Sequence, residues 1–249
     1  MMLSRSALRS GLAAFGAVAL ACCAEIGSAK AQDYAAIVAA PDRSDADRQT
    51  DKRRNPEKMM AFTGAKAGMK VMDLVSSGGY SAELLARSVA PGGTVYAQDS
   101  QATVDRTKER FDERMQKVKN LVRVVRNYDD PVPPDVSNLD LVTIYFSYHD
   151  LVHMEVDRAS MNKKVFAALK PGGFFVVADH SARAGDGLSV AKTLHRIEES
   201  ALRKEVEAAG FKLVAEGDFL RHLEDARETT TTRPGPTPND EFVLKFQKP

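Results

Sequence analysis

Two His/Asp pairs stand out among the residues able to do chemistry, His149-Asp150 and Asp179-His180, each directly or closely following an apolar run. An imidazole so placed can exchange a proton near neutral pH. That is what a displacement reaction needs when the attacking group must first lose a proton. The same residues could instead cap strand ends or bond to backbone. A second candidate is Asp73-Leu74-Val75-Ser76-Ser77-Gly78-Gly79-Tyr80. Its paired glycines let the backbone approach a ligand closely, and a helix starting there would offer free N–H groups to a carboxylate. A plain strand-to-helix turn has a similar composition. Asp99 follows the glycine pair by about 20 residues, the spacing at which an acidic residue can accept ribose hydroxyls. An exposed turn aspartate is the alternative.

The remaining histidines give weaker signals. His149 and His153 are spaced i, i+4, but no Glu-x-x-His pattern accompanies them, so no metal site is expected. His195 is expected in mid-helix with a solvent or polar partner, on a helix that can pass over the site. His153 and His222 read as surface polar residues, and Met59-Met60 as core.

These candidates need strands to carry them. Apolar runs at 70–75, 94–97, 121–125, 139–146 and 174–178 read as strands, the fourth apolar enough to be buried on both faces. Helices are expected at 81–89, 102–117, 158–169 and 190–209, the last ending at Gly210. Two Pro-Gly-Gly turns, at 91–93 and 171–173, punctuate the alternation. Strands at 211–214 and 242–246 close the chain, joined by a polar loop at 227–240 rather than a long helix. This order predicts a mostly parallel sheet with an antiparallel closing strand and helices on both faces. In such a sheet ligands bind beyond the carboxyl ends of the strands, where 73–80, 99–100, 127–130 and 147–150 fall.

The first 31 residues read as a separate object. Arg5 and Arg9 precede an uncharged, Ala-rich run at 11–24, and Ala29-Lys30-Ala31 offers a small-x-small cleavage site before Gln32. That is the three-part plan of a secretory signal peptide. The apolar run is shorter than the roughly 20 residues a spanning helix needs, so no stable membrane insertion is expected after cleavage, and the mature chain is expected in the periplasm. Lipid attachment at Cys22 or Cys23 is the minor alternative, since 20–23 loosely resembles a lipoprotein site. Both cysteines of the chain lie here, so cleavage after Ala31 leaves neither disulfides nor thiolate chemistry. The segment carries Arg5, Arg9 and Lys30 against Glu25, a net +2, so its loss takes the chain from +1 to −1. With no basic block, nucleic acid is not an expected partner. Residues 32–58 read as a polar, extended arm leading into a helix near Pro56, and 59–249 as one α/β domain.

Five motifs in order resemble the class I S-adenosylmethionine (SAM)-dependent methyltransferases: Gly68-Met69-Lys70-Val71-Met72-Asp73-Leu74, the stretch 90–99 ending in Asp99, Asn138-Leu139-Asp140-Leu141-Val142, the stretch 169–177, and 207–214. They cover roughly residues 55–249. Asp179-His180-Ser181-Ala182 and the closing 242–249 are similar to a group of exported bacterial predicted methyltransferases. The resemblance implies a Rossmann-like methyltransferase fold with a seven-stranded sheet, and SAM as cofactor. It places Asp73, Ser76, Ser77, Gly78 and Gly79 near the amino-acid part of SAM and Asp99 on its ribose. Tyr128, Asp129 or Asp130 would lie by the adenine, and Phe146 and Ser147 at the methyl-donor end. His149 and His180 are the candidate catalytic bases, acting on a small or medium-sized acceptor.

One departure qualifies this. Val75 and Ser77 stand where the family loop usually has glycines, with Gly79 in register and Gly78 extra. A β-branched residue resists unusual backbone angles, which predicts an altered loop path and leaves open a second function: a periplasmic binding protein of the same fold that has lost its chemistry. A nicotinamide-dependent oxidoreductase would need a full Gly-x-Gly-x-x-Gly, which 76–81 does not supply.

Overall fold

Seven strands form one sheet: β1 (Lys70–Leu74), β2 (Thr94–Asp99), β3 (Leu121–Val125), β4 (Leu139–Tyr145), β5 (Leu169–His180), β6 (Lys212–Gly217) and β7 (Glu241–Gln247). Their order is β3-β2-β1-β4-β5-β7-β6, with β7 antiparallel to both neighbours. The structure is a computed structural model that describes Met1, residues 32–233 and residues 237–249. The expected signal peptide and Cys22 and Cys23 lie outside the described residues. Among those described, no helix is long and apolar enough to cross a membrane.

The central strands are apolar on consecutive residues because both faces are covered. Val71, Leu141 and Val176 pack into one core layer with Leu84, Leu85 and Phe111. Their neighbours Met72, Val142 and Val177 point the other way, into a layer with Leu202, Val206 and Phe211, as strand alternation requires. The helices supplying these layers are α4 (Tyr80–Val89) and α5 (Gln101–Lys117) on one face, and α7 (Arg158–Ala168) and α9 (Glu199–Glu207) on the other. Strand order reverses between β1 and β4, which opens a crevice at their carboxyl ends.

Two parts of the chain depart from expectation. Residues 32–58 are helical, not extended: α1 (Tyr34–Val38), α2 (Asp45–Arg54) and the start of α3 (Pro56–Thr63) pack onto the domain, and Gln32–Pro249 is one compact unit. Ser44 caps α2 by accepting from the Asp47 amide at 3.2 Å. The second departure is at 190–209. Instead of one helix, a single turn, α8 (Ala191–Leu194), stops at His195, whose φ is 52°, and α9 begins at Glu199. Two buried residues pull the chain out of the helix between them. Ile197 bridges to Ser181, and Arg196 is held by Asp225, Asn239 and the carbonyls of Ser181 and Thr229. A short helix not expected from the sequence, α6 (Tyr148–His153), follows β4 directly.

Candidate active site

The loop after β1 carries the first set of candidates. Val75 and Ser77 each have φ 51° and Gly79 has φ 78°. The two substituted positions thus adopt the left-handed conformation that glycine takes without strain, despite the β-branch of Val75. Neighbouring groups enforce the turn. The Ser76 amide donates to Gln98 O at 3.2 Å, the Ser77 amide to Asp99 Oδ1 at 3.1 Å, and the Gly79 amide to Ser76 O at 2.8 Å. Arg114 Nε donates to Gly78 O at 2.6 Å. A side chain at 78 would meet the Arg110 side chain, 2.8 Å from the Cβ position, and would displace it.

Asp73 lies beneath this loop. Thr143 Oγ1 donates to its Oδ1 at 2.6 Å and Ser81 Oγ to its Oδ2 at 2.7 Å. Burial pushes its carboxyl up to about 6, against these hydroxyls. Asp99, at the end of β2, is pushed up to about 7 by burial and by the charge of Asp73, with the Ser77 amide opposing. Tyr128 is buried with its hydroxyl 3.0 Å from Thr103 Oγ1, so it forms part of the packed floor near α5. Asp129 is half-buried beside it, and Asp130 is engaged by Arg126.

A cleft of about 960 Å³ opens in front of the loop, lined by Val75, Ser76, Ser77, Gly78, Tyr80 and Ser147, with Arg53 and Arg54 of α2 across from them. This is the size of a site for a large cofactor. The helices before β1 are fastened over it by charge. Arg114 grips Asp47 with two bonds at 2.8 and 2.7 Å and Glu83 with one at 2.5 Å. Arg43 holds Asp51 at 2.7 and 2.8 Å, and Tyr80 donates to Asp51 at 2.6 Å. Arg54 differs from these. Among the described residues no carboxylate pairs with it; its guanidinium lies 4.3 Å from the Phe146 ring centre and 5.7 Å from that of Tyr80. Burial and the adjacent Arg53 lower its pKa to about 10.

Phe146, with φ 59°, and Ser147 form the link from β4 to α6. Ser147 lines the first cleft, and Phe146 lines a second, of about 810 Å³, together with His149, Asp150, His180, His195 and His222. Arg53 lines both. His149 is fixed from beneath by the fully buried Asp179, which accepts from its amide at 2.8 Å and meets its Nδ1 at 2.7 Å. Its Nε2 lies 3.1 Å from Asp150 Oδ1. Burial alone would lower the His149 pKa, but Asp179 and Asp150 together raise it to about 10. The His180 ring stands 5.3 Å from Phe146 and 5.6 Å from His149, with Nδ1 3.0 Å from Glu241 Oε1.

The site therefore gathers the loop, Ser147, Phe146, His149 and His180 at the two clefts, with Asp73, Asp99 and Tyr128 buried behind them. Sequence reasoning missed Arg54, Asp47 and Arg114, and it set His195 in mid-helix rather than at the helix stop where it reaches the cleft. Ser44-x-x-Asp47, a helix-start signature, was the available signal for α2.

The profile of the ubiE/COQ5 methyltransferase family matches residues 48–198, more than half of the chain. The chain belongs to this family. Its cofactor is accordingly SAM, and the match begins within α2, so the helix carrying Arg53 and Arg54 belongs to the family region. Among curated proteins no sequence relative matches the chain. Solved structures share the Rossmann-like methyltransferase fold. A SAM-dependent methyltransferase from Aquifex aeolicus is 17% identical with TM-score 0.61, covering 87% of this chain and 99% of its own. YcgJ of Bacillus subtilis is 14% identical with TM-score 0.56, covering 77% and 96%. SpnF, a [4+2]-cyclase, is 19% identical with TM-score 0.58, covering 82% of each chain. That a cyclase shares the fold shows that chemistry must be read from the site.

Proposed function

We propose that this chain transfers the methyl group of SAM to a small or medium-sized acceptor bound in the histidine-lined cleft. The observation that carries this reading is the meeting of the two clefts at the Phe146-Ser147 link, where one strand end contributes a residue to each. The first cleft suits the cofactor. Asp99 would accept the ribose hydroxyls, the loop amides would face the amino-acid part, and Arg54 would take its carboxylate. SAM, when bound, supplies an electrophilic methyl group on sulfonium sulfur.

The protein's own work is alignment and proton management. Phe146 walls the junction and excludes water from it. His149, clamped between Asp179 and Asp150, orients an acceptor through Nε2. His180 takes the proton of an acceptor that must lose one. The mature protein acts after export, with Gln32 as its first residue. An N-terminus at Met1 in periplasmic protein would refute that part.

Isothermal titration with SAM and S-adenosylhomocysteine tests the central claim. We expect one site per chain. No heat at high micromolar ligand would sink methyl transfer and favour the second reading, a binding protein that keeps the fold. That reading draws on the strained residues at 75 and 77, where glycine would hold the loop at less cost.

A further inference from the structure

All five histidines of the chain converge on the second cleft. His149, His180, His195 and His222 line it, and the His153 ring packs 5.8 Å from that of His195. They come from α6, the end of β5, the stop of α8 and the loop after β6, so the fold and not local sequence brings them together. Within the group, one donor atom each from His149, Asp150 and His195 lie within 4.8 Å of one another. We infer that His149, Asp150 and His195 form a binding site for a divalent transition-metal ion, a site separate from SAM binding and not dependent on it.

The separations suit an ion. His149 Nε2 and His195 Nδ1 lie 3.1 and 3.4 Å from the same atom, Asp150 Oδ1. A tetrahedral ion with bonds of about 2.0–2.1 Å to nitrogen and oxygen spaces its ligands about 3.3–3.4 Å apart. Two edges of the required polyhedron are thus close to their final length. His153 Nδ1, a buried nitrogen with no hydrogen-bond partner, is 3.9 Å from the same oxygen. Three imidazole nitrogens facing one carboxylate oxygen exceed the two lone pairs it can offer. A cation shared among them resolves that crowding, and a donor set of imidazole and carboxylate suits zinc and its neighbours in the first transition row.

The surroundings have the form of a supported ligand sphere. Asp179, fully buried, holds His149 Nδ1 at 2.7 Å and so turns Nε2 toward Asp150. Carboxylate–histidine–metal relays of this kind fix the ring and strengthen the ligand. His195 reaches Asp150 from a left-handed backbone position, φ 52°, that a non-glycine residue occupies only when its surroundings enforce it. Here Arg196 and Ile197 supply that enforcement. The sequence carries no metal signature because the second histidine ligand is 46 residues beyond the first. A metal-bound His149 would use Nε2 as a ligand in place of orienting the acceptor, and His180 would still manage the acceptor's proton.

The test uses the full chain stripped with a chelator, titrated with Zn²⁺ by calorimetry and with Co²⁺ by visible absorption. One equivalent of Zn²⁺ is expected, with cobalt bands of low-symmetry nitrogen–oxygen coordination. His195→Ala and Asp150→Asn, whose folding is checked by circular dichroism, should each weaken Zn²⁺ at least 100-fold. Asp179→Asn should weaken it about 10–100-fold, as loss of a supporting carboxylate does. His222→Ala should leave it unchanged. Equal Zn²⁺ affinity in the parent, His195→Ala and Asp150→Asn overturns the site, as does failure of the parent to bind. SAM titrated into the same samples keeps the outcomes apart: Zn²⁺ binding without SAM binding leaves the metal site standing and removes methyl transfer, and the reverse removes the metal site alone.

Discussion

Asp99 Oδ1 accepts the Ser77 amide at 3.1 Å, so the carboxylate assigned to the ribose also pins the strained turn of the cofactor loop. Both roles are filled best by the ionised form, yet burial and Asp73 push Asp99 up to about 7. SAM affinity should therefore rise with pH between 6 and 8, approaching tenfold per unit below that value. Titration calorimetry across this range checks it. An unchanged slope in Asp99→Asn would show that another group is responsible.

The same shift has a stability consequence of known sign. A carboxyl whose pKa is higher in the folded than in the unfolded chain stabilises the fold at low pH, and that contribution is lost as pH rises through the folded value. Above about pH 7 the cofactor-free protein keeps a buried charge at a cost on the order of a few kcal/mol. Asp99→Asn, which retains an acceptor for Ser77, should raise Tm most at pH 8 and by roughly a third as much at pH 5, while abolishing tight SAM binding. A lower Tm at pH 8 would contradict the assignment.

Ser77→Gly should stabilise the protein. A left-handed conformation costs a non-glycine residue about 1–2 kcal/mol, part of which glycine returns through greater unfolded-state freedom. We expect a net gain of about 1 kcal/mol, which is about 2–4 °C in Tm for a chain of this size. Val75→Gly should gain less, because Val75 packs against the core beneath the loop. Thermal unfolding of both variants decides the matter, and destabilisation by Ser77→Gly would mean the loop is held differently.

Arg114 ties α5 to α2 through Asp47, to α4 through Glu83, and to the loop through Gly78. Removing one partner of a buried ion pair costs about 3–5 kcal/mol, because charges stay buried without compensation. Arg114→Ala should lower stability by that order and expose residues 34–54 to protease before the sheet is cut. Limited proteolysis with mass mapping measures this. Uniform digestion of parent and variant would show that the network does not fasten the helices.

How much of this was legible before the structure depends on where each element gets its stability. β1 and β4 announce themselves because they are buried among apolar neighbours, and Asp99 because its distance from the glycine pair is set along the chain. α2 has no apolar stripe: its sequence is Asp-Ala-Asp-Arg-Gln-Thr-Asp-Lys-Arg-Arg, and Asp47 is buried against a partner 67 residues away. Nothing in local composition encodes that pairing. The break at His195 was hidden for the opposite reason. Residues 190–209 favour helix locally, and the tertiary anchors Arg196 and Ile197 override it.

Arg54 yields the most discriminating prediction about the cofactor. It faces the loop across the first cleft and stacks on Phe146, without a carboxylate partner among the described residues. A cation in this position is available for the carboxylate of a bound amino-acid moiety, and such a charge-assisted bond is worth about 1.5–3 kcal/mol. Arg54→Gln should therefore weaken S-adenosylhomocysteine at least tenfold. Methylthioadenosine has the same adenosine and sulfur but no carboxylate, so its affinity should change less than about threefold by the same reasoning. Loss of stacking on Phe146 would weaken both ligands alike, as would a general loosening of α2. Only the direct pairing separates them, so a parallel loss of both ligands would remove Arg54 from the carboxylate and return it to a packing role over Phe146.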